Sequence, residues 1–253
     1  QTGITLDTTT ASTGVAVLRV ATTGVNAGTY FETITATDNR GSSTVSVITV
    51  TINPATTIRG ETTTALLTTA GIQRLETITA ANGTGAKTFV LTSVSPSNAG
   101  ITLDTSTASS GFARLNVSSS VTSDTYTATI TATDTRGSAA TLVKTIRVNP
   151  ALSFALGATS TFGVPAGTAG YDSLTVTGGT APRTVTIVGT PSNSGITVSA
   201  PNTTQVVMNV SSTVPAATYL ETITVTDAVG ATAAHTVTLT VSGPIRFDSS
   251  NPS

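Results

Sequence analysis

The sequence predicts an all-β chain built from tandem two-sheet Greek-key sandwiches arranged as a rod. Three observations carry that expectation: a composition dominated by Thr and Ser, a seven-letter phrase written three times, and period-two alternation in the segments around it. Thr and Ser supply roughly a third of the residues. Thr is β-branched, so its stiff side chain favours strands while its hydroxyl can face water. Charged residues make up only 9% of the chain, which leaves Thr, Ser, Gly and Ala to cover the surface. Glycine and proline punctuate the whole length, and no long stretch carries the apolar period of a helix.

The repeat sets the domain plan. "GITLDTTTASTGVAVLRV" begins at Gly3, "GITLDTSTASSGFARLNV" at Gly100 and "GITVSAPNTTQVVMNV" at Gly195, about 95 residues apart. The later parts align as "TYFETITATDNRG", "TYTATITATDTRG" and "TYLETITVTDAVG". Upstream, residues 69–92 resemble residues 168–190, and "SPSNAGIT" and "TPSNSGIT" lead into the shared half. A unit of this size is too long for a solenoid repeat and suits a β-sandwich. The expected division is residues 1–54 as the C-terminal half of a unit, with 55–150 and 151–243 as complete units. Residues 244–253, "PIRFDSSNPS", then read as the first strand of a further unit or a donated strand.

In the middle copy the turn signals predict seven strands, near 56–60, 72–80, 86–93, 100–104, 111–118, 124–133 and 140–148. The sixth fixes the faces. Tyr126, Ala128, Ile130 and Ala132 alternate with Thr127, Thr129, Thr131 and Thr133, so the first set points inward and the threonines to solvent. Glu32 and Glu221 occupy the inward parity of Ala128, and are expected at the sandwich end with their carboxylates in water. The sixth strand must then reverse into the seventh, and Asp-x-x-Gly is the chemistry of that reversal. Asp38, Asp134 and Asp227 suit the first position of a type I turn, where a carboxylate accepts backbone N–H bonds. Gly41, Gly137 and Gly230 follow three residues later, where a left-handed residue starts the returning strand. These aspartates are therefore read as turn residues.

The pattern "G-T-Y-x-x-T-I-T-A-T-D-x-x-G", followed by an alternating strand, resembles the tandem Ig-like and cadherin-like repeats of large bacterial surface and secreted proteins. Related modules decorate phage capsids and tails. The resemblance covers nearly the whole chain and implies Ig-like sandwiches acting as spacers in adhesins, stalks and cell-wall proteins. Tyr30, Tyr126 and Tyr219, each eight residues before the hairpin aspartate, match the tyrosine corner of Ig-like domains. The chain departs from cadherin-type repeats at its junctions. "TINPATT", "RVNPALS" and "VSGPIRF" hold no acidic residue, whereas Ca²⁺ needs six to eight oxygens from clustered ligands.

Composition narrows the remaining classes. With 11 basic and 12 acidic residues scattered singly, no basic face suggests nucleic acid as a partner. Apolar runs of a few residues fall far short of the ~20 that cross a bilayer as a helix, so no membrane insertion is expected. Cysteine is absent, which removes disulfides, thiolate nucleophiles and cysteine-ligated metals. His235 is the single histidine, without a second histidine for zinc or a predicted pocket for a triad. No catalytic, metal or cofactor-binding residues are assigned, and no cofactor is expected.

The copies do not start and stop at domain edges. Four strands out of seven cannot bury Ile4, Leu6, Val17, Ile34 and Val47, and half a sandwich exposes what should be core. The expected explanation is a window on a longer repetitive protein. The alternative is a filament or virion-decorating subunit completed by strand exchange. The expected role is a structural spacer or stalk at an extracellular or cell surface, not an enzyme, with neighbouring copies of the same repeat or chain as partners.

Overall fold

The computed structural model describes residues 3–21 and 23–244. Among them there are strands and two short 3₁₀ turns, and no α-helix. The first copy contributes β1 (Ile4–Asp7), β2 (Val17–Val20), β3 (Gly28–Thr37) and β4 (Ser43–Ile52). The second contributes β5 (Thr57–Gly60), β6 (Leu66–Thr69), β7 (Arg74–Ala81), β8 (Lys87–Ser95), β9 (Ile101–Asp104), β10 (Phe112–Val117), β11 (Asp124–Asp134) and β12 (Ala139–Asn149). The third contributes β13 (Ser153–Phe154), β14 (Thr161–Pro165), β15 (Gly170–Thr177), β16 (Arg183–Thr190), β17 (Ile196–Ser199), β18 (Gln205–Val210), β19 (Ala217–Asp227) and β20 (Thr232–Ser242).

In the second copy the sheet β5-β7-β10-β9 packs on the sheet β6-β12-β11-β8, and the third repeats this as β13-β15-β18-β17 on β14-β20-β19-β16. This is the Greek-key order of the immunoglobulin sandwich, whose first strand is shared between the two sheets. The chain is thus a tandem of Ig-like β-sandwiches. Each of these two copies has its own core. In the second, Ile78, Ala113 and Leu115 of one sheet meet Ala128, Ile130 and Ile146 of the other. In the third, Leu174, Val206 and Met208 meet Ile223, Val237 and Leu239.

Each of these copies has eight strands where the turn signals predict seven. The additional one is β6, which runs parallel to β12 from Leu66↔Ile146 to Asn149↔Thr69, and its counterpart β14 runs parallel to β20. The first strand leaves one sheet and joins the other after a short crossover. The "LLTT" of β6 hides this in sequence, because its burial does not alternate: Leu66, Thr68 and Thr69 are all buried. The inward set of β11 is as predicted, with Tyr126, Ala128, Ile130 and Ala132 buried.

The first copy is different. Among the described residues β1 pairs only with β2 and β3 only with β4, matching β9–β10 and β11–β12 of the second copy. Among its described residues Ile4 alone is buried. Two of its predicted core residues face the other way. Val17 lies opposite Asp7 and Val47 opposite Thr33, on the face that carries Arg114 and Val143 in the second copy. The inward positions belong to Leu18 and Ile48, opposite Leu6 and Glu32. The strand expected within 244–253 lies outside the described residues beyond Pro244.

Candidate inter-unit junction

The repeated Asp-x-x-Gly phrase builds the hairpins first. Asp38, Asp134 and Asp227 each accept an N–H from Gly41, Gly137 and Gly230 on the main-chain oxygen, at 3.1, 3.1 and 3.2 Å. Their Oδ1 atoms accept two more, from Arg40 and Ser42, Arg136 and Ser138, and Val229 and Ala231. The glycines sit at φ 85°, 86° and 89°, a region costly for any residue with a Cβ. Tyr30, Tyr126 and Tyr219 donate to the carbonyls of Asn26, Thr122 and Pro215, four residues back, at 2.8, 3.1 and 3.0 Å.

Two of the three aspartates have a second use that their sequence neighbourhood does not show. Asp134 Oδ2 accepts the backbone N–H of Thr84 at 2.5 Å, and Asp227 Oδ2 accepts that of Thr180 at 2.8 Å. Thr84 and Thr180 lie in equivalent loops just past β7 and β15. There Gly83 and Gly179 donate to the carbonyls of Pro54 and Pro150 at 2.8 Å each. The Asn before each proline completes the set. Asn53 Nδ2 donates to the Thr84 hydroxyl at 3.0 Å, and Asn149 Nδ2 to that of Thr180 at 2.8 Å. One constellation of Asn-Pro, Gly-Thr and hairpin Asp therefore forms at both places where one copy passes into the next.

At the second junction the preceding unit adds a further contact. The Thr69 hydroxyl, at the end of β6, donates to Asp227 Oδ2 at 2.6 Å and lies 2.9 Å from the Thr180 hydroxyl. Thr180 Oγ1 in turn donates to the Thr68 carbonyl at 3.3 Å. Thr69, Thr180 and Asp227 are all buried, and Ile72 of the second unit packs on the core of the third. Burial alone would raise the Asp227 carboxyl. The Thr69 hydroxyl and the N–H groups of Thr180, Ala231 and Val229 outweigh it and hold the group below the usual aspartate range. Asp134 is held low mainly by the Thr84 N–H, against burial, with the N–H groups of Ser138 and Arg136 and the Lys87 charge assisting. The aspartates are turn residues and also anchors of the unit's entry. A sequence signal existed, since "GT" follows "NP" by 30 residues in both copies, but each partner lies tens of residues from its carboxylate.

Glu221 overturns an expectation. It is 2% exposed, so its carboxylate does not reach water, and Oε1 has no hydrogen-bond partner. Room for it comes from Gly189, directly opposite on β16, where a Cβ would fall within contact of both carboxylate oxygens. Burial raises its pKa. A raised folded value means that its favourable contribution is complete below the ordinary glutamate range and is lost as pH rises through the folded value. Glu221→Gln should therefore raise the melting temperature of the third unit at pH 8 and leave it unchanged near pH 4. A melting temperature lower than wild type at pH 8 would reject this reading.

The remaining candidate groups show no convergent chemistry. His235 Nε2 lies 2.9 Å from the Thr159 carbonyl, with its ring 5.2 Å from that of Phe154. Asp7 and Asp104 cap local turns, at Thr9 and Ser106, and Asp7 pairs with Arg19. Among the described residues no three His, Cys, Asp or Glu side chains form a group that could hold a metal ion.

No family model matches the sequence, and no curated protein is similar to it. Among solved structures, an I-band fragment of titin is 12% identical with a TM-score of 0.42, over 91% of this chain and 78% of its own. The first two Ig domains of DIP-gamma are 15% identical with a TM-score of 0.38, over 75% of this chain and 98% of theirs. A titin Ig tandem is 11% identical with a TM-score of 0.31, over 76% and 100%. What is similar is the fold.

Proposed function

We propose that the chain is a structural spacer, a segment of tandem Ig-like units in an extracellular or cell-surface protein of the adhesin or stalk kind, with no enzymatic activity. In this reading residues 55–150 and 151–243 are complete units, residues 1–54 are the second half of another, and residues 244–253 begin a further one. The observation that carries the proposal is the junction. The last strand of one unit ends at Asn149 and the next begins at Ser153, with the Thr69–Thr180–Asp227 contacts closing the gap. Proline at the joint fixes φ and removes a donor, so successive units have almost no free linker. A surface rich in Thr and poor in charge accords with a secreted setting. Small-angle scattering of residues 55–243 should give a maximum dimension near twice the length of one sandwich, roughly 35–45 Å per unit from the strand rise. A compact globule would defeat the proposal.

A second reading, a filament or virion-decorating subunit completed by its neighbours, draws on one observation: among the described residues the strand edges of β1–β4 are open and its inner face is uncovered.

A further inference from the structure

The inner face of the first copy has a definite size requirement. In the second and third copies β11 and β19 are each flanked by a third strand, β8 or β16, and among the described residues β3 has no such neighbour. The two complete units solve one packing problem in opposite ways. On the strand that begins with the corner tyrosine, the second inward residue is Ala128 in one and Glu221 in the other. Across from Ala128 stands Val94, and across from Glu221 stands Gly189. Small meets large and large meets small. A Cβ at position 189 would meet the Glu221 carboxylate and force it to move.

Glu32 occupies this position in the first copy, and Ile48 lies beside it on β4. The pair reproduces Glu221 beside Val237, not Ala128 beside Lys144. The second copy needs Lys144 because Glu76 of β7 enters the same region and is paired with it at 2.8 Å. A segment like β5–β8 laid on the first copy would press valine against Glu32.

We infer that the inner face of β1–β4 is an interaction surface for a four-stranded polypeptide segment of the β13–β16 kind, with glycine on the strand that pairs with β3, opposite Glu32. The segment adds a strand beside β2, another beside β3 and a parallel one beside β4, covering Leu6, Leu18, Ile34 and Ile48. Backbone ladders supply the affinity, and the glycine opposite Glu32 supplies the selectivity. This assignment does not depend on the spacer role.

The test extends the 253-residue chain at Gln1 with a second copy of residues 151–192 or, separately, with a second copy of residues 55–97. Hydrogen exchange is then read at the amides of residues 28–52. The 151–192 extension should slow exchange there by about 100-fold, and Gly189→Val within the added copy alone should abolish most of that protection. The 55–97 extension should protect poorly, and Glu32→Ala combined with Glu76→Leu in the added copy should restore it. Equal protection by both extensions, or indifference to the added valine, would overturn the size rule. Absence of protection with either extension would overturn the surface itself. Concentration-dependent protection of residues 28–52 in the unextended chain would assign the face to a second copy instead, and would also overturn the inference.

Discussion

Replacing Lys144 by methionine destabilises the second unit by about 3–5 kcal/mol, the range for removing one partner of a buried ion pair. The Lys144 and Glu76 side chains are 4% and 1% exposed and 2.8 Å apart. The ammonium also donates to the Thr62 and Thr64 carbonyls at 2.7 and 2.9 Å and to the Thr62 hydroxyl at 2.5 Å. Glu76 Oε1 accepts the N–H and hydroxyl of Thr62 at 2.9 Å each, while Oε2 has no partner. Without the lysine a dry carboxylate loses its counter-charge and the crossover from β5 to β6 loses its tether. The double variant Glu76→Leu/Lys144→Met should recover most of the loss, because no unpaired charge remains. Denaturant unfolding of the full chain reads both, and a single variant within 1 kcal/mol of wild type would show the pair to be dispensable.

Asp227→Ala should cost the third unit about 3 kcal/mol. It strips acceptors from the buried N–H of Thr180, the N–H groups of Val229 and Ala231, and the Thr69 hydroxyl, and an orphaned buried donor costs about 1–3 kcal/mol. Asp38→Ala is the internal control. The same phrase surrounds it, but among the described residues the Asp38 carboxylate accepts only the N–H groups of Arg40 and Ser42, both exposed, so the loss should be a small fraction of that at Asp227. Because the folded-state pKa of Asp227 is lowered, its contribution is present above the ordinary aspartate value and disappears as pH falls through the folded one. The advantage of wild type over Asp227→Asn should therefore shrink in acid. Equal effects at Asp38 and Asp227 would mean that the turn, not the junction, sets the energetics.

The contrast between those aspartates shows what the chain made legible. Strands, faces and hairpins were readable because their determinants are local: the alternation from Tyr126 to Thr133 and the Asp-x-x-Gly offset lie within a few residues. β6 was not readable, since its partner β12 lies about 80 residues away in sequence and its burial breaks the period-two rule. The parity of Glu221 was assigned correctly and its solvation was not, because the space it fills is made by a glycine on another strand. The junction was hidden for the same reason. Its carboxylate, threonine and asparagine come from three separate segments, and only folding brings them together.

The parallel pairing of β6 with β12 sets how the second copy would respond to a pull on its two ends. A pull on the chain's two ends draws β6 back toward the residue it entered from, and β12 forward through Asn149. For strands running the same way, this slides one along the other. The register pairs from Leu66↔Ile146 to Thr69↔Asn149 are then loaded together in shear instead of parting one by one, as an antiparallel hairpin peeled from its open end would. The Lys144–Glu76–Thr62 cluster sits where that force enters β6, so the charges that brace the crossover also bear the load.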